Sequence, residues 1–265
     1  MKLFNETKLY LKKYLQIHGT VLKLVIFITL GMLYQCNKVF EKGEVSILDS
    51  VSDLEGTIGT SNMGILFFIV IPSFMVLVMK LIDNEELVEK IIKNNSRIRV
   101  WNKNVILVFI TSILITFIIV VLGYCLSGVI LGSFENKWTS DQGNFYKLIK
   151  DKENFLMYAK NLGTIKVLSM LFITKLLGLI IIGLLVTILK AIIKSNSLIF
   201  IILTIFGMID GYFVEFSLLY QKLSITITGW VNVISVIINN IYLLIIVVAL
   251  YFLGREIYSR KDFLN

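Results

Sequence analysis

VILVFITSILITFIIVVLGYCLSGVIL, residues 105–131, runs for 27 positions without an Asp, Glu, Lys or Arg. A helix crosses the roughly 30 Å hydrocarbon core of a bilayer in about 20 residues, so this stretch reads as a membrane span. Similar runs extend over Thr20 to Gln35, Met63 to Ile82, Ile165 to Leu189, Leu198 to Phe216 and Thr228 to Leu253. The first is short and can begin within the preceding helix. Hydrophobic residues make up 57% of the chain, charged residues only 17%, and mean hydropathy is +0.84. A soluble domain of this length needs more polar surface to cover its core. The fold class read from these runs is all-α: a polytopic membrane protein with six transmembrane helices over 20–265. Proline occurs once, at Pro72, where it should kink the second span.

The charges outside the runs orient them. With the N-terminus placed inside, the cytoplasmic segments carry roughly fifteen basic and seven acidic residues, the external ones roughly eight and eleven, the asymmetry of the positive-inside rule. An even number of spans puts both termini in the cytoplasm. The net charge of +8 therefore reads as a topology signal, with no nucleic-acid partner implied. Some nineteen mixed residues precede the first apolar run, so the beginning does not resemble a secretory signal, and Tyr34 and Gln35 stand where a lipoprotein signal before Cys36 needs small residues. The chain is expected to keep its N-terminus. Cys36 and Cys125 are expected to be free thiols. Of the two long external segments, 37–62 is rich in Gly, Ser and Asp and looks loosely ordered. The other, 135–161, suggests a surface helix carrying Phe145, Leu148, Ile149, Phe155, Leu156 and Tyr158, resting on the outer leaflet or capping the bundle.

Two cytoplasmic features ask for a partner. Over residues 1–19, Leu3, Phe4, Tyr10, Leu11, Tyr14, Leu15 and Ile17 share one helical face opposite Lys2, Lys8, Lys12 and Lys13. That pattern describes an amphipathic helix in the inner interface, either as a simple anchor or also touching a soluble partner. The loop 83–104, DNEELVEKIIKNNSRIRVWNKN, opens on an acidic turn, continues with Leu87, Val88, Ile91 and Ile92 on one face, and closes on Arg97, Arg99 and Lys103. Acid early and base late suit the helix macrodipole. Asn94, Asn95 and Ser96 supply a break and a cap for the next helix.

This loop resembles that of the small ABC-2-type exporter permeases, in which a Glu-led helix after the second span is followed by a Ser-Arg element and a Lys entering the third. The matching residues are Glu85 or Glu86, Ser96-Arg97 and Lys103. The end, YFLGREIYSRKDFLN, is similar to the family's finish, an aromatic helix running into a basic pair and an acid, here Arg260-Lys261-Asp262. Val88-Glu89-Lys90 stands where the family has Gly-Thr, and the segment between the first two spans is longer than usual. The resemblance implies a permease subunit in a bacterial plasma membrane, paired with a second copy or a related permease. It implies a cytoplasmic ATPase partner that holds the ATP and Mg, and export or expulsion of a peptide such as a lantibiotic or another bacteriocin. Glu85, Glu86, Leu87, Ile91, Ser96, Arg97, Arg99 and Lys103 would couple the chain to that ATPase. The chain has no G-x-x-x-x-G-K-[ST] loop, so no cofactor is expected on it, and its substrate-binding residues stay unassigned.

Ionisable groups at membrane depth are costly and need partners. Lys175 lies fifteen residues before Lys190, and Asp210 fourteen after Asn196, so both stand about 21–23 Å above the inner surface. On an antiparallel hairpin they are expected to form an ion pair, as a clamp or with a gating role. Asn239 and Asn240 can bond across helices or line a cavity, and Gly123, Gly128, Gly132, Gly178 and Gly183 permit close packing. An enzyme reading is weak. The single histidine, His18, has no cluster with metal spacing around it, no metal site is expected, and Glu85-Glu86 has no histidines to serve it. A non-transporting membrane scaffold or sensor-associated protein is the other reading open at this point.

Overall fold

The computed structural model describes residues 18–40, 46–52, 54, 59–87, 91–92, 96–213 and 217–261. The amphipathic helix read over 1–19 lies almost wholly outside them, as do positions 88–90 and 93–95 of the loop. Among the described residues all regular structure is helical. The elements are α1 (His18–Phe40), α2 (Ile47–Val51), α3 (Met63–Glu85), α4 (Arg97–Leu131), α5 (Asn144–Leu148), α6 (Phe155–Ala159), α7 (Thr164–Ile192), α8 (Asn196–Tyr212), α9 (Tyr220–Leu223), α10 (Ile227–Val231) and α11 (Val233–Arg260).

Five of these, α1, α3, α4, α7 and α11, contain stretches long and apolar enough to cross a membrane, which fits a multi-pass membrane protein. The sixth expected span is shorter than the sequence implied. The run extends to Phe216, with Glu215 the charge near its end, but α8 stops at Tyr212 after 17 residues, about 26 Å of helix, and Asp210 captures the chain that follows. The last run also divides. Its first residues belong to the short helix α10, while α11 continues to Arg260.

Local chemistry sets the ends. Asn62 caps α3, its Oδ1 accepting the Ile65 N–H at 2.7 Å, and the Ser195 hydroxyl accepts the Leu198 N–H at the start of α8. Gly132 closes α4 in the left-handed region, φ 65°, where a Cβ would be strained. In α3 a π-helical turn, Leu66–Val70, stands immediately before the segment that carries Pro72. A proline deletes one ladder donor, and a widened turn accommodates the loss.

α7 is the axis of the bundle. Of its most apolar window 72% is buried, against 17% for α1 and 11% for α11. Leu179, Ile182 and Val186 of α7 meet Phe74 and Val78 of α3 and Val108 and Ile115 of α4 in the main core. Between helices in lipid, association rests on close contact more than on removal from water. Glycines supply that closeness: a Cβ on Gly183 would lie 2.4 Å from Val108, and one on Gly254 2.1 Å from the Trp101 ring. The outward faces keep large apolar side chains exposed, among them Leu22, Ile26, Leu30, Ile201, Ile205, Ile237 and Ile241.

The two segments expected outside fold together into a cap with its own core. Ile47, Leu48 and Val51 of α2 pack with Trp138, Phe145, Ile149 and Phe155, and with Trp230 of α10. Of the described part of 37–62, residues 46–52, 54 and 59–62 are therefore buried, not loose. Within 135–161 the expected surface helix is two short ones, with Phe145, Ile149 and Phe155 turned inward and Leu148 and Leu156 left exposed. The main chain is stitched as well: Lys137 N–H donates to the Ser46 hydroxyl at 2.9 Å and Ile227 N–H to the Leu54 carbonyl at 3.1 Å.

Candidate functional site

The residues expected to meet an ATPase cluster where α3 ends. That end carries Asp83, Asn84, Glu85 and Glu86 in succession, and the carboxylates do different work. Asp83 and Glu86, three residues apart, fall on neighbouring positions of one helical face. Glu85 is 3% exposed, so it is no part of an open docking surface.

Glu86 holds the last helix. Its Oε1 accepts the Tyr258 hydroxyl at 2.6 Å and the Asn104 Nδ2 at 3.1 Å, and its Oε2 accepts the Lys261 Nζ at 2.6 Å. The side chains of Lys261 and Glu86 are only 10% and 13% exposed. Burial pushes the Lys261 ammonium below the usual lysine value, and the Glu86 charge opposes that shift. The Trp101 ring packs on Tyr258 with centroids 5.1 Å apart, while Gly254 lets α11 approach that ring. Asp83 makes a second clasp. It pairs with Lys190 at the end of α7 and accepts the Asn196 Nδ2 at 2.9 Å at the start of α8. The Lys190 Nζ also donates to the Asn196 Oδ1 at 2.7 Å. One turn of α3 therefore ties together α4, α7, α8 and α11.

The remaining loop residues separate by exposure. Leu87 and Ile92 are 52% and 68% exposed. Ser96, Arg97 and Arg99 are exposed, and Ile91 and Lys103 half-buried. Ser96 occupies the N-cap position of α4, but its side chain makes no capping hydrogen bond. Arg97 donates from Nη1 to the Ser259 carbonyl at 3.2 Å, a second link to α11. An apolar pair with two arginines beside it thus faces outward over a clasped base. Sequence reasoning missed Asn104 and Tyr258 as partners of Glu86 and Asn196 as a partner of Asp83. The i, i+3 spacing of Asp83 and Glu86 was the available signal, but which helix ends would meet them was not local information.

The expected Lys175–Asp210 pair is replaced by another arrangement. Asp210 accepts the backbone N–H groups of Leu218, Leu219 and Tyr220 at 2.5, 3.0 and 2.7 Å and the Ser217 hydroxyl at 3.1 Å. Lys175 is not among these partners. Its Nζ donates to the Leu223 carbonyl at 2.9 Å and lies 3.6 Å from the Met63 sulfur. The two charges meet the two ends of α9. The carboxylate takes the donors that a helix start leaves over, and the ammonium takes a carbonyl at its finish. Asn240 bonds across helices, its Oδ1 accepting the Thr174 hydroxyl at 2.9 Å. Both cysteines are free, and the Cys36 sulfur lies 3.4 Å from the Ser127 hydroxyl.

Beside this hairpin lies a half-open apolar cavity of about 380 Å³, walled by Phe67, Ile71 and Met75 of α3, Leu203 and Gly207 of α8, and Tyr220. In the cap, Asp49 accepts the Trp138 Nε1–H at 2.6 Å, the Ser46 N–H at 2.8 Å and the Asn144 Nδ2 at 3.0 Å. Burial pushes its carboxyl above the usual aspartate range, and those three donors with Lys147 oppose the rise. Among the described residues no group of three or more His, Cys, Asp or Glu could hold a metal ion. Comparison with protein-family models, with curated proteins and with solved structures gave no match for this chain.

Proposed function

We propose that the chain is the membrane permease subunit of an ATP-binding cassette exporter. It would work with a separate cytoplasmic ATPase and a second permease, and move a peptide or other amphipathic substrate out of a bacterial plasma membrane. In this reading α8 serves as a sixth, shortened span, the clasped end faces the cytoplasm with both termini, and the cap lies outside. ATP and Mg belong to the ATPase.

The observation that carries the reading is the clasp at Glu86. A loop that only joined two spans would need no buried carboxylate holding the last helix. Here the base of the loop is fastened to α4 and α11 through Glu86 and to α7 and α8 through Asp83. A push on the exposed Leu87, Ile92, Arg97 and Arg99 would therefore load four helices at once, and rigid elements with shared contacts are what carries coupling. The coupling set is thereby divided: Leu87, Arg97 and Arg99, joined by Ile92 from outside that set, touch the partner, whereas Glu85 and Glu86 act from inside. The apolar cavity beside α8 suits the apolar part of an amphipathic substrate.

The test is co-purification of an ABC ATPase with the tagged full-length chain, together with ATP-dependent substrate movement in reconstituted vesicles. Arg97→Glu with Arg99→Glu is expected to abolish both. Glu86→Gln is expected to leave ATPase association intact while transport falls at least tenfold. Unchanged association and transport in the double arginine variant would overturn the coupling assignment.

A further inference from the structure

A second cavity, of about 460 Å³, lies between α9, α10 and the first turns of α11. Its wall is more polar than that of the first, although Ile225 and Val236 also line it. Gln221, Lys222, Ser224, Thr226, Thr228 and Asn239 line it, and among the described residues no Asp or Glu does. Thr226 and Thr228 bond to each other at 3.1 Å. Among the described residues the side chains of Gln221, Lys222, Ser224 and Asn239 make no hydrogen bond to the protein; the Lys222 Nζ stands 5.9 Å from the Tyr242 ring. One cation and three neutral hydrogen-bonding groups, all half-buried, therefore share one space.

The depth of this space narrows the ligand. α11 has 28 residues, about 42 Å at 1.5 Å per residue, against a hydrocarbon core of about 30 Å. Centred in the bilayer, it enters the core near position 237, which puts Asn239 just inside the boundary between headgroups and acyl chains. Unsatisfied polar groups at that level are costly. The group that a bilayer offers next to that level is a lipid phosphate, an anion with acceptor oxygens whose acyl chains stay on the apolar side. Tyr220 lines this cavity and the apolar one alike, so polar and apolar spaces share a wall, as a ligand with a charged head and a hydrocarbon tail requires.

We propose that this cavity binds the phosphate headgroup of an anionic membrane lipid. The Lys222 ammonium supplies a charge-assisted bond to the phosphate, and the Gln221 and Asn239 amides and the Ser224 hydroxyl donate to its remaining oxygens. Lipid recognition of this kind is a property of the chain alone and stands whether or not an ATPase partner exists.

The experiment uses the full-length chain purified in mild detergent and stripped of lipid. Thermal unfolding is followed while dioctanoyl-phosphatidylglycerol, dioctanoylglycerol or inorganic phosphate is added. The expected result is a saturable rise in Tm with the phosphatidylglycerol, and a response at least tenfold weaker in concentration to each of the other two. Lys222→Met should weaken the phosphatidylglycerol response by about tenfold, in line with one charge-assisted bond, while Lys222→Arg keeps most of it. Gln221→Leu with Ser224→Ala gives an independent reading should the methionine variant not fold. Equal responses to phosphatidylglycerol and dioctanoylglycerol would overturn the phosphate assignment. An equal response to inorganic phosphate would overturn the lipid assignment in favour of a free anion, and unaltered binding in the Lys222 and Gln221/Ser224 variants would remove the ligand from this cavity.

Discussion

The two ends of the bundle hold their carboxylates by different means. At the clasped end, Asp83 and Glu86 meet lysines, and each bond joins one helix terminus to another. At the capped end, Asp49 meets the Trp138 indole, an amide and a backbone N–H, inside a cluster of aromatic rings that includes Trp230, 5.8 Å from Trp138. Charge pairs at helix termini can be exchanged or screened with little repacking, because each holds by a few polar atoms. An aromatic core at close packing has no such freedom. In the proposed exporter reading, the clasped end would receive the push and the cap would stay closed.

The comparison can be broken most severely at the cap. Trp138→Ala removes a fully buried indole and one of the three donors to Asp49, and is expected to cost about 3–5 kcal/mol. Thermal unfolding in detergent, together with limited proteolysis, checks this: new cleavage should fall within 134–162 and leave the clasped end intact. Cleavage spread evenly over the chain would show that the cap is not a separate packing unit.

Glu86→Ala comes next. It strips Lys261, Tyr258 and Asn104 of a shared acceptor, and a loss of about 2–3 kcal/mol is expected. Amide exchange should show the opening at the end of α11, with the cap unchanged. The smallest effect belongs to Asp83→Ala. Its side chain is 50% exposed, although that of Lys190 is only 6% exposed, so water competes for the carboxylate and at most about 1 kcal/mol is expected. Added salt should shrink that difference between wild type and variant. If Asp83→Ala proved as costly as Glu86→Ala, the ranking of the two clasps by burial would fail.

Much of the helical framework was legible because it is locally encoded. The charge-free run 105–131 became the greater part of α4, and Ile165 to Leu189 became α7 nearly end to end. Where the sequence misled, a single side chain overrode a pattern. The run continues through Phe213 and Val214 to Phe216, broken only by Glu215, yet α8 ends at Tyr212 and Asp210 binds the amides of 218–220. The Gly-, Ser- and Asp-rich composition of 37–62 suggested looseness, but Ile47, Leu48 and Val51 find Trp138 and Phe145 from a segment some ninety positions away. At the candidate site, Leu87, Arg97 and Arg99 are exposed. The inward turn of Glu86 did not show, since its partners Tyr258 and Lys261 lie more than 170 positions downstream.

The sequence by itself determined the five long apolar helices that can cross a membrane, because length, hydropathy and the backbone's need for internal hydrogen bonds in lipid are satisfied within each segment. Only the tertiary structure decided which charge meets which: Glu86 with Lys261, Asp83 with Lys190, and Lys175 and Asp210 with opposite ends of α9. A charged side chain takes the partner that helix packing brings within about 3 Å. That packing is set by distant glycines and apolar faces, which the neighbouring residues in the sequence do not encode.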